Sequence, residues 1–141
     1  MKYTIYSDGG YLAHKDVGAF AYIILDENFK VIEKRAYFIR HESNNRAELK
    51  AIIAAVHRLP SDADYVRIYS DSQYALNTLA GWWKRRKNKD LFEIWKKVQD
   101  AHKNMLPSYK WVKGHDGDEY NEMCDQMCTS AMESEQNIIL L

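Results

Sequence analysis

The sequence predicts an α/β fold: a five-stranded mixed sheet, made of an antiparallel meander of three strands and then alternating strand and helix, with helices on both faces. Three observations lead there. Strand-like segments follow one another closely over the first forty residues. The apolar spacing then changes to that of a helix face between residues 49 and 56. From residue 65 onward strand-like and helix-like patterns take turns.

Lys2–Asp8 reads as the first strand, ended by a Gly9-Gly10 turn. Gly18–Leu25 and Val31–Arg40 are the next two, joined across Asp26-Glu27-Asn28. Leu49, Ile52, Ile53 and Val56 follow the i, i+3, i+4, i+7 pattern of a helix, and Pro60 closes that segment. Tyr65–Ser70, where Val66 and Ile68 alternate with polar residues, is a fourth strand running into Asp71 and a short helix, Ser72–Leu79. A break rich in Trp and Lys/Arg precedes a helix at Leu91–Lys103. Ser108–Lys113 is the fifth strand and Glu119–Met132 the last helix.

The chain of 141 residues is long enough for one domain with a real core, assigned here to residues 1–141. Its 46% hydrophobic and 28% charged residues are those of a globular protein. No apolar run reaches the ~18 residues of a membrane span, so no membrane partner is expected. The opening MKYTIYSDGG lacks the apolar stretch of a signal peptide, and a cytoplasmic location is the expectation. Cys124 and Cys128 have neither a zinc-ribbon spacing nor a second pair, and read as reduced, partly buried helix residues. The net charge of zero argues against a nucleic-acid binder, but the average conceals a polarity. Residues 84–113 carry ten Lys/Arg against three Asp/Glu, whereas residues 114–141 carry seven Asp/Glu and no Lys or Arg. One region suits a polyanion and the next suits cations.

Four acids stand where elements meet or on a helix face: Asp8, Glu48, Asp71 and Asp125. Each has a plainer reading. Asp8 would shape a turn before Gly9-Gly10. Asn45 and Glu48 are spaced like a capping box, and Asp71 stands where a helix N-cap would. Asp125 would be a solvated acid on an acidic helix. As a set they read differently, because Asp8 and Asp71 both end apolar strands and Glu48 lies beside an apolar helix stripe. Clustered carboxylates repel one another and are tolerated mainly around cations. Hard oxygen donors without Cys or paired His select Mg²⁺ or Mn²⁺ over zinc. Two such ions ~4 Å apart suit phosphodiester hydrolysis.

Five blocks then make a resemblance specific. They are Tyr6-Ser7-Asp8-Gly9-Gly10, Asn44-Asn45-Arg46-Ala47-Glu48-Leu49, Tyr69-Ser70-Asp71-Ser72-Gln73-Tyr74, Trp111-Val112-Lys113-Gly114-His115 and Asn121-Glu122-Met123-Cys124-Asp125. In this order, nearly end to end, the chain resembles a type 1 ribonuclease H. The resemblance implies a ribonuclease H-like fold and a stand-alone endoribonuclease that hydrolyses the RNA strand of RNA–DNA hybrids, leaving 5′-phosphate and 3′-hydroxyl ends. It implies that Asp8, Glu48, Asp71 and Asp125 hold two Mg²⁺ ions, with Mn²⁺ able to substitute. It implies that His115 assists turnover through proton handling or product release. An imidazole titrates near pH ~6.5, and glycines flank His115 in Gly114-His115-Asp116-Gly117-Asp118. The other histidines read as surface residues.

Substrate contacts follow in the same way. RNA differs from DNA by its 2′-hydroxyl, which asks for polar donors and acceptors along the RNA strand. Asn44, Asn45 and Gln73 match family residues that contact the hybrid, and Arg46 would attract phosphate; amides at helix starts also cap backbone N–H groups. Trp82-Trp83-Lys84-Arg85-Arg86-Lys87-Asn88-Lys89 resembles a clipped version of the basic protrusion of many bacterial relatives. There Lys84, Arg85, Arg86 and Lys87 would hold phosphates and Trp82 would lie against the DNA strand, with Trp83 left between core and surface. A solvated charge run is the plainer reading.

The chain departs from the resemblance in two places. Tyr11–Val17 replaces a Gly/Pro-rich loop, and Ile138-Ile139-Leu140-Leu141 forms an apolar tail that either packs back or engages a partner protein. A monomer is the expectation. The rival readings are a DNA-cutting nuclease of the wider superfamily and a binding domain without activity.

Overall fold

The computed structural model describes residues 1–114 and 118–140. It holds the expected mixed α/β sheet, but with six strands rather than five. In chain order the elements are β1 (Lys2–Leu12), β2 (Val17–Leu25), β3 (Val31–Arg40), α1 (Asn44–His57), β4 (Tyr65–Ser70), α2 (Gln73–Leu79), α3 (Lys89–Ala101), β5 (Leu106–Trp111), α4 (Glu119–Ser134) and β6 (Ile138–Ile139). The strand order across the sheet is β5-β4-β1-β2-β3-β6. The β1, β2 and β3 meander is antiparallel. β4 joins β1 in parallel and β5 joins β4 in parallel, connections that need helical crossovers.

The sixth strand comes from the apolar tail. Ile138 pairs with Ala36 and Ile139 with Arg35, so the tail packs back on the domain. Two β-branched residues beside an open edge gain backbone hydrogen bonds there, which a tail in water would satisfy only with solvent.

Each face of the sheet has its own core. β2 is buried along almost its whole length because helices cover both sides of it. On one face Ile5, Tyr22, Ile24 and Ile68 pack against Leu49, Ile52 and Val56 of α1 and Trp95 of α3. On the other, Tyr6, Ala19, Ala21, Ile23 and Ala36 meet Cys124, Cys128 and Ala131 of α4. Small side chains on β1–β3 let α4 approach closely.

Gly9 and Gly10 are not a turn. They lie inside β1, opposite Phe20 and Ala19 of β2. A side chain on Gly9 would come within 2.5 Å of the Glu48 backbone nitrogen and 2.6 Å of the Ala47 carbonyl carbon. The glycine is there because α1 presses its backbone onto the strand.

Helix boundaries shift for identifiable reasons. Ser43, not Asn45, caps α1, its hydroxyl accepting from Arg46 N–H at 3.3 Å. Ser72, not Asp71, caps α2, accepting from Ala75 N–H at 3.0 Å. Glu48 and Asp71 are thereby left free of capping duty. α3 starts two residues earlier than its apolar pattern, after Asn88 in a left-handed conformation (φ 61°). β5 starts and ends two residues earlier than expected, set by its pairing with Tyr65–Ser70.

Candidate active site

Three elements deliver three carboxylates to one place. The parallel register sets Tyr6 opposite Tyr69, so β1 and β4 run side by side to Asp8 and Asp71. α1 adds Glu48, one turn in from its cap. One oxygen from each of these acids lies within 4.8 Å of the others. Asp125 comes from the opposite side, on α4, and lines the same open depression of about 300 Å³ with Asn44 and Ser72.

The approach of α1 to Gly9 decides where Glu48 points. Its Oε1 accepts the Gly9 backbone N–H. Its Oε2 is buried and has no hydrogen-bond partner among the described residues. A buried carboxylate oxygen without a partner costs free energy unless something positive meets it. Asp71 is steadied through its backbone, since Trp111 Nε1–H donates to its carbonyl at 3.1 Å. Gly114 lies against its carboxylate: a side chain there would come within 2.9 Å of Oδ2.

Burial dominates the electrostatics. Asp8 and Glu48 are both buried. Desolvation, reinforced by the charges of Asp71 and Asp125, pushes the Asp8 carboxyl up to about 7. Desolvation and the adjacent Asp8 charge raise Glu48 well above the usual carboxylate range. The site thus holds protons too tightly for acids that work ionised, and a cation reverses that preference. Among the described residues the donor set is all carboxylate, with a buried oxygen that has no partner, so it fits hard divalent ions. Cys124 and Cys128 are free and buried, and burial pushes both thiols up, so they stay inert packing residues behind Asp8.

A family model described as RNase H matches residues 1–133. The chain belongs to the RNase H family. Its curated RNase H relatives include ribonuclease H of Treponema pallidum, 33% identical with 91% of this chain and 89% of that one covered. Ribonuclease H of Lachnoclostridium phytofermentans is 34% identical, covering 93% and 92%. Among solved RNase H folds, LC11-RNase H1 in complex with RNA/DNA hybrid superposes with a TM-score of 0.80 at 20% identity, covering 94% of this chain and 98% of that one. RNase H1 from Halobacterium salinarum gives 0.77 at 20%, covering 95% and 99%. At those identities the likeness shows the fold.

Within this RNase H domain the other expected site residues separate into three groups. Asn44 lines the depression at the first turn of α1, and Asn45 and Gln73 are exposed at the first turns of α1 and α2. Trp82, Trp83, Lys84, Arg86 and Lys87 are exposed as well; neither tryptophan enters the core. Arg46 and Arg85 are engaged by partners within the protein. Arg46 forks onto Asp90 with bonds of 3.0 and 2.8 Å and donates from Nε to Glu42 at 3.2 Å. Arg85 donates to the carbonyls of Thr78 and Leu79 at the end of α2 and lies 4.8 Å over the Phe92 ring. A cation that satisfies helix-end carbonyls and an aromatic face is a structural clamp. His115 lies outside the described residues. Gly9, Ser72 and Gly114 border the acids, roles that sequence reasoning did not assign them; the glycine doublet is the one signal that points there.

Proposed function

We propose that the protein is a metal-dependent endoribonuclease that hydrolyses the RNA strand of RNA–DNA hybrids, leaving 5′-phosphate and 3′-hydroxyl ends. The observation that carries this reading is the convergence of Asp8, Glu48 and Asp71 within 4.8 Å, from three separate elements, in a depression that Asp125 also lines. Family membership and the hybrid-bound LC11-RNase H1 support the substrate class.

Asp8, Glu48, Asp71 and Asp125 would hold two Mg²⁺ ions, with Mn²⁺ as a substitute. Such ions, when bound, activate the attacking water and stabilise the leaving oxygen. The chain's own part is to gather and orient the carboxylates, whose ionisation a bound cation would restore. Gly9 N–H fixes one Glu48 oxygen, and the other is buried without a hydrogen-bond partner among the described residues. The Ser43 and Ser72 caps relieve the acids of helix-start duty. Asn44, Asn45 and Gln73, at the first turns of α1 and α2, suit the 2′-hydroxyls and backbone of a strand laid across the depression. Lys84, Arg86 and Lys87 supply sequence-independent phosphate attraction, and Trp82 offers a ring for the DNA strand. His115, which lies outside the described residues, would carry protons or help product leave.

The test is a panel of labelled RNA–DNA hybrid, duplex DNA, duplex RNA and single strands, with Mg²⁺ and with EDTA. Mg²⁺-dependent cutting of RNA in the hybrid alone is the expected result. Cutting of duplex DNA would favour the wider nuclease superfamily instead. No cutting of any substrate in Mg²⁺ or Mn²⁺ would leave a binding domain and overturn the proposal.

A further inference from the structure

From Gly81 to Lys87 the chain forms no helix or strand, and every residue is exposed. Arg85 ties the middle of this segment to α2 and α3, and the residues on either side of it keep a fixed place only if the ends are held as well. Its start is anchored by Trp82 N–H and Trp83 N–H, which donate to the Asn77 carbonyl at 2.9 and 3.1 Å. The Trp82 ring also meets Tyr109 edge-on, 6.0 Å between centroids.

Its end is anchored by side chains. Asn88 Nδ2 donates to the Tyr74 hydroxyl at 2.9 Å, and Asn88 Oδ1 accepts from Arg46 Nη1 at 3.2 Å. The same guanidinium forks onto Asp90 and reaches back to Glu42. Glu42 is a buried carboxylate that also takes the Lys50 ammonium, which fixes the Arg46 stem from behind. One arginine thus ties the first turn of α1, where Asn44 lines the carboxylate depression, to the first turn of α3, where the cationic segment ends.

We infer that Arg46, with Asn88 and Asp90, is a positioning residue for nucleic-acid binding. It holds Lys84, Arg86 and Lys87 at a set distance from the four acids, so that they meet phosphates while the scissile bond lies in the depression. The inference rests on the hybrid-cutting reading above. Arg46 does this without touching phosphate, because four of its five N–H donors are already directed to Glu42, Asp90 and Asn88. A planar fork makes two parallel bonds that a lysine ammonium does not reproduce. Cations held in place beforehand bind more tightly because less ordering remains to be done on association.

The sign of one substitution separates positioning from plain electrostatics. Asp90 is an exposed acid three residues after Lys87, where the cationic segment ends. On charge alone, Asp90→Asn tightens nucleic-acid binding. If Asp90 holds the Arg46 fork, the same change loosens the segment and weakens binding. Asn88→Gly is the companion variant, since glycine suits φ 61° and removes both side-chain bonds while keeping the backbone. Arg46→Lys keeps the charge and loses the fork.

Hybrid affinity is measured across a salt series in EDTA, with KM and kcat in Mg²⁺ and thermal melts as a folding control. Each of the three variants is expected to bind about three- to tenfold more weakly, the usual range for residues coupled in one network, with KM raised and kcat little changed. In a protein whose Lys84, Arg86 and Lys87 are already neutralised, the same three changes add nothing further. The inference is overturned if Asp90→Asn binds as tightly as the parent or tighter, or if the losses add in full to the neutralised background. Unchanged affinity on neutralising the three cations alone also overturns it, while continued Mg²⁺-dependent cutting of hybrid by that protein would leave the functional proposal intact.

Discussion

At the scale of single residues, Asp8 and Glu48 are set against their own ionisation. Asp8 rises from an ordinary carboxylate value of 3.8 to about 7, chiefly by burial, and Glu48 shifts the same way. The metal-free folded state therefore binds more protons than the unfolded chain between about pH 4 and about pH 7. Stability contributed by these groups is present below the unfolded value and is lost as pH rises through the folded one. In EDTA the melting temperature of the parent is expected to fall across that window, whereas Asp8→Asn flattens the trend and melts higher at about pH 8. Identical pH profiles for parent and variant would show that Asp8 is not the group responsible. In Mg²⁺ the same variant, and Asp71→Asn, should cut hybrid roughly 10²-fold or more slowly, the scale of removing one preorganised transition-state stabiliser. Parental cleavage rates would remove Asp8 from the site. His115→Ala is expected to slow turnover while leaving the Mg²⁺ concentration dependence in place; rescue by high Mg²⁺ alone would mark a missing ligand instead.

At the scale of elements, the packing of α1 on β1 delivers Glu48, and two adjacent glycines make opposite predictions about it. Gly9→Ala drives a methyl into the backbone of Ala47 and Glu48, which cannot move without shifting the helix. A loss of about 1–3 kcal/mol in urea unfolding is expected, with slower cleavage because Glu48 is displaced. Gly10→Ala comes too close only to the Met132 methyl, at 2.8 Å, the free end of a flexible side chain. Its effect should be clearly smaller. Equal losses from the two variants would show that the close approach of α1 is not what the first glycine serves.

At the scale of the whole molecule, charge is divided between structure and surface inside one basic run. Arg85 closes the end of α2 and lies over Phe92 of α3, so Arg85→Ala is expected to lower the melting temperature. Lys84, Arg86 and Lys87 are exposed, and neutralising them should leave the melt nearly unchanged. Instead, the slope of log affinity against log salt should flatten by about 0.9 for each phosphate that is no longer neutralised. An unchanged slope would identify the run as a solvated surface. The fold supports this division by placing α2 and α3 on the same face as α1, with Trp95 of α3 donating from its indole to the Leu79 carbonyl at 3.1 Å.

Much of the architecture is legible in the residues themselves. Period-two and helical spacing mark five strands and four helices, because alternating burial imprints itself directly on apolar position. Asp8 and Asp71 stand out because acids at the ends of apolar strands need a reason, and Glu48 because it lies beside an apolar helix stripe. What local pattern does not carry is the approach of one element to another. That Gly9-Gly10 lies within a strand follows from its pairing with β2 and from the helices that arrive over it, α1 at Gly9 and α4 at Gly10. That Ile138 and Ile139 form a strand follows from the open edge of β3. Arg46 and Arg85 read as phosphate ligands because a cation's sequence neighbours do not reveal its partners. Glu42 and Asp90 for the one, and helix-end carbonyls for the other, come together only when the helices pack.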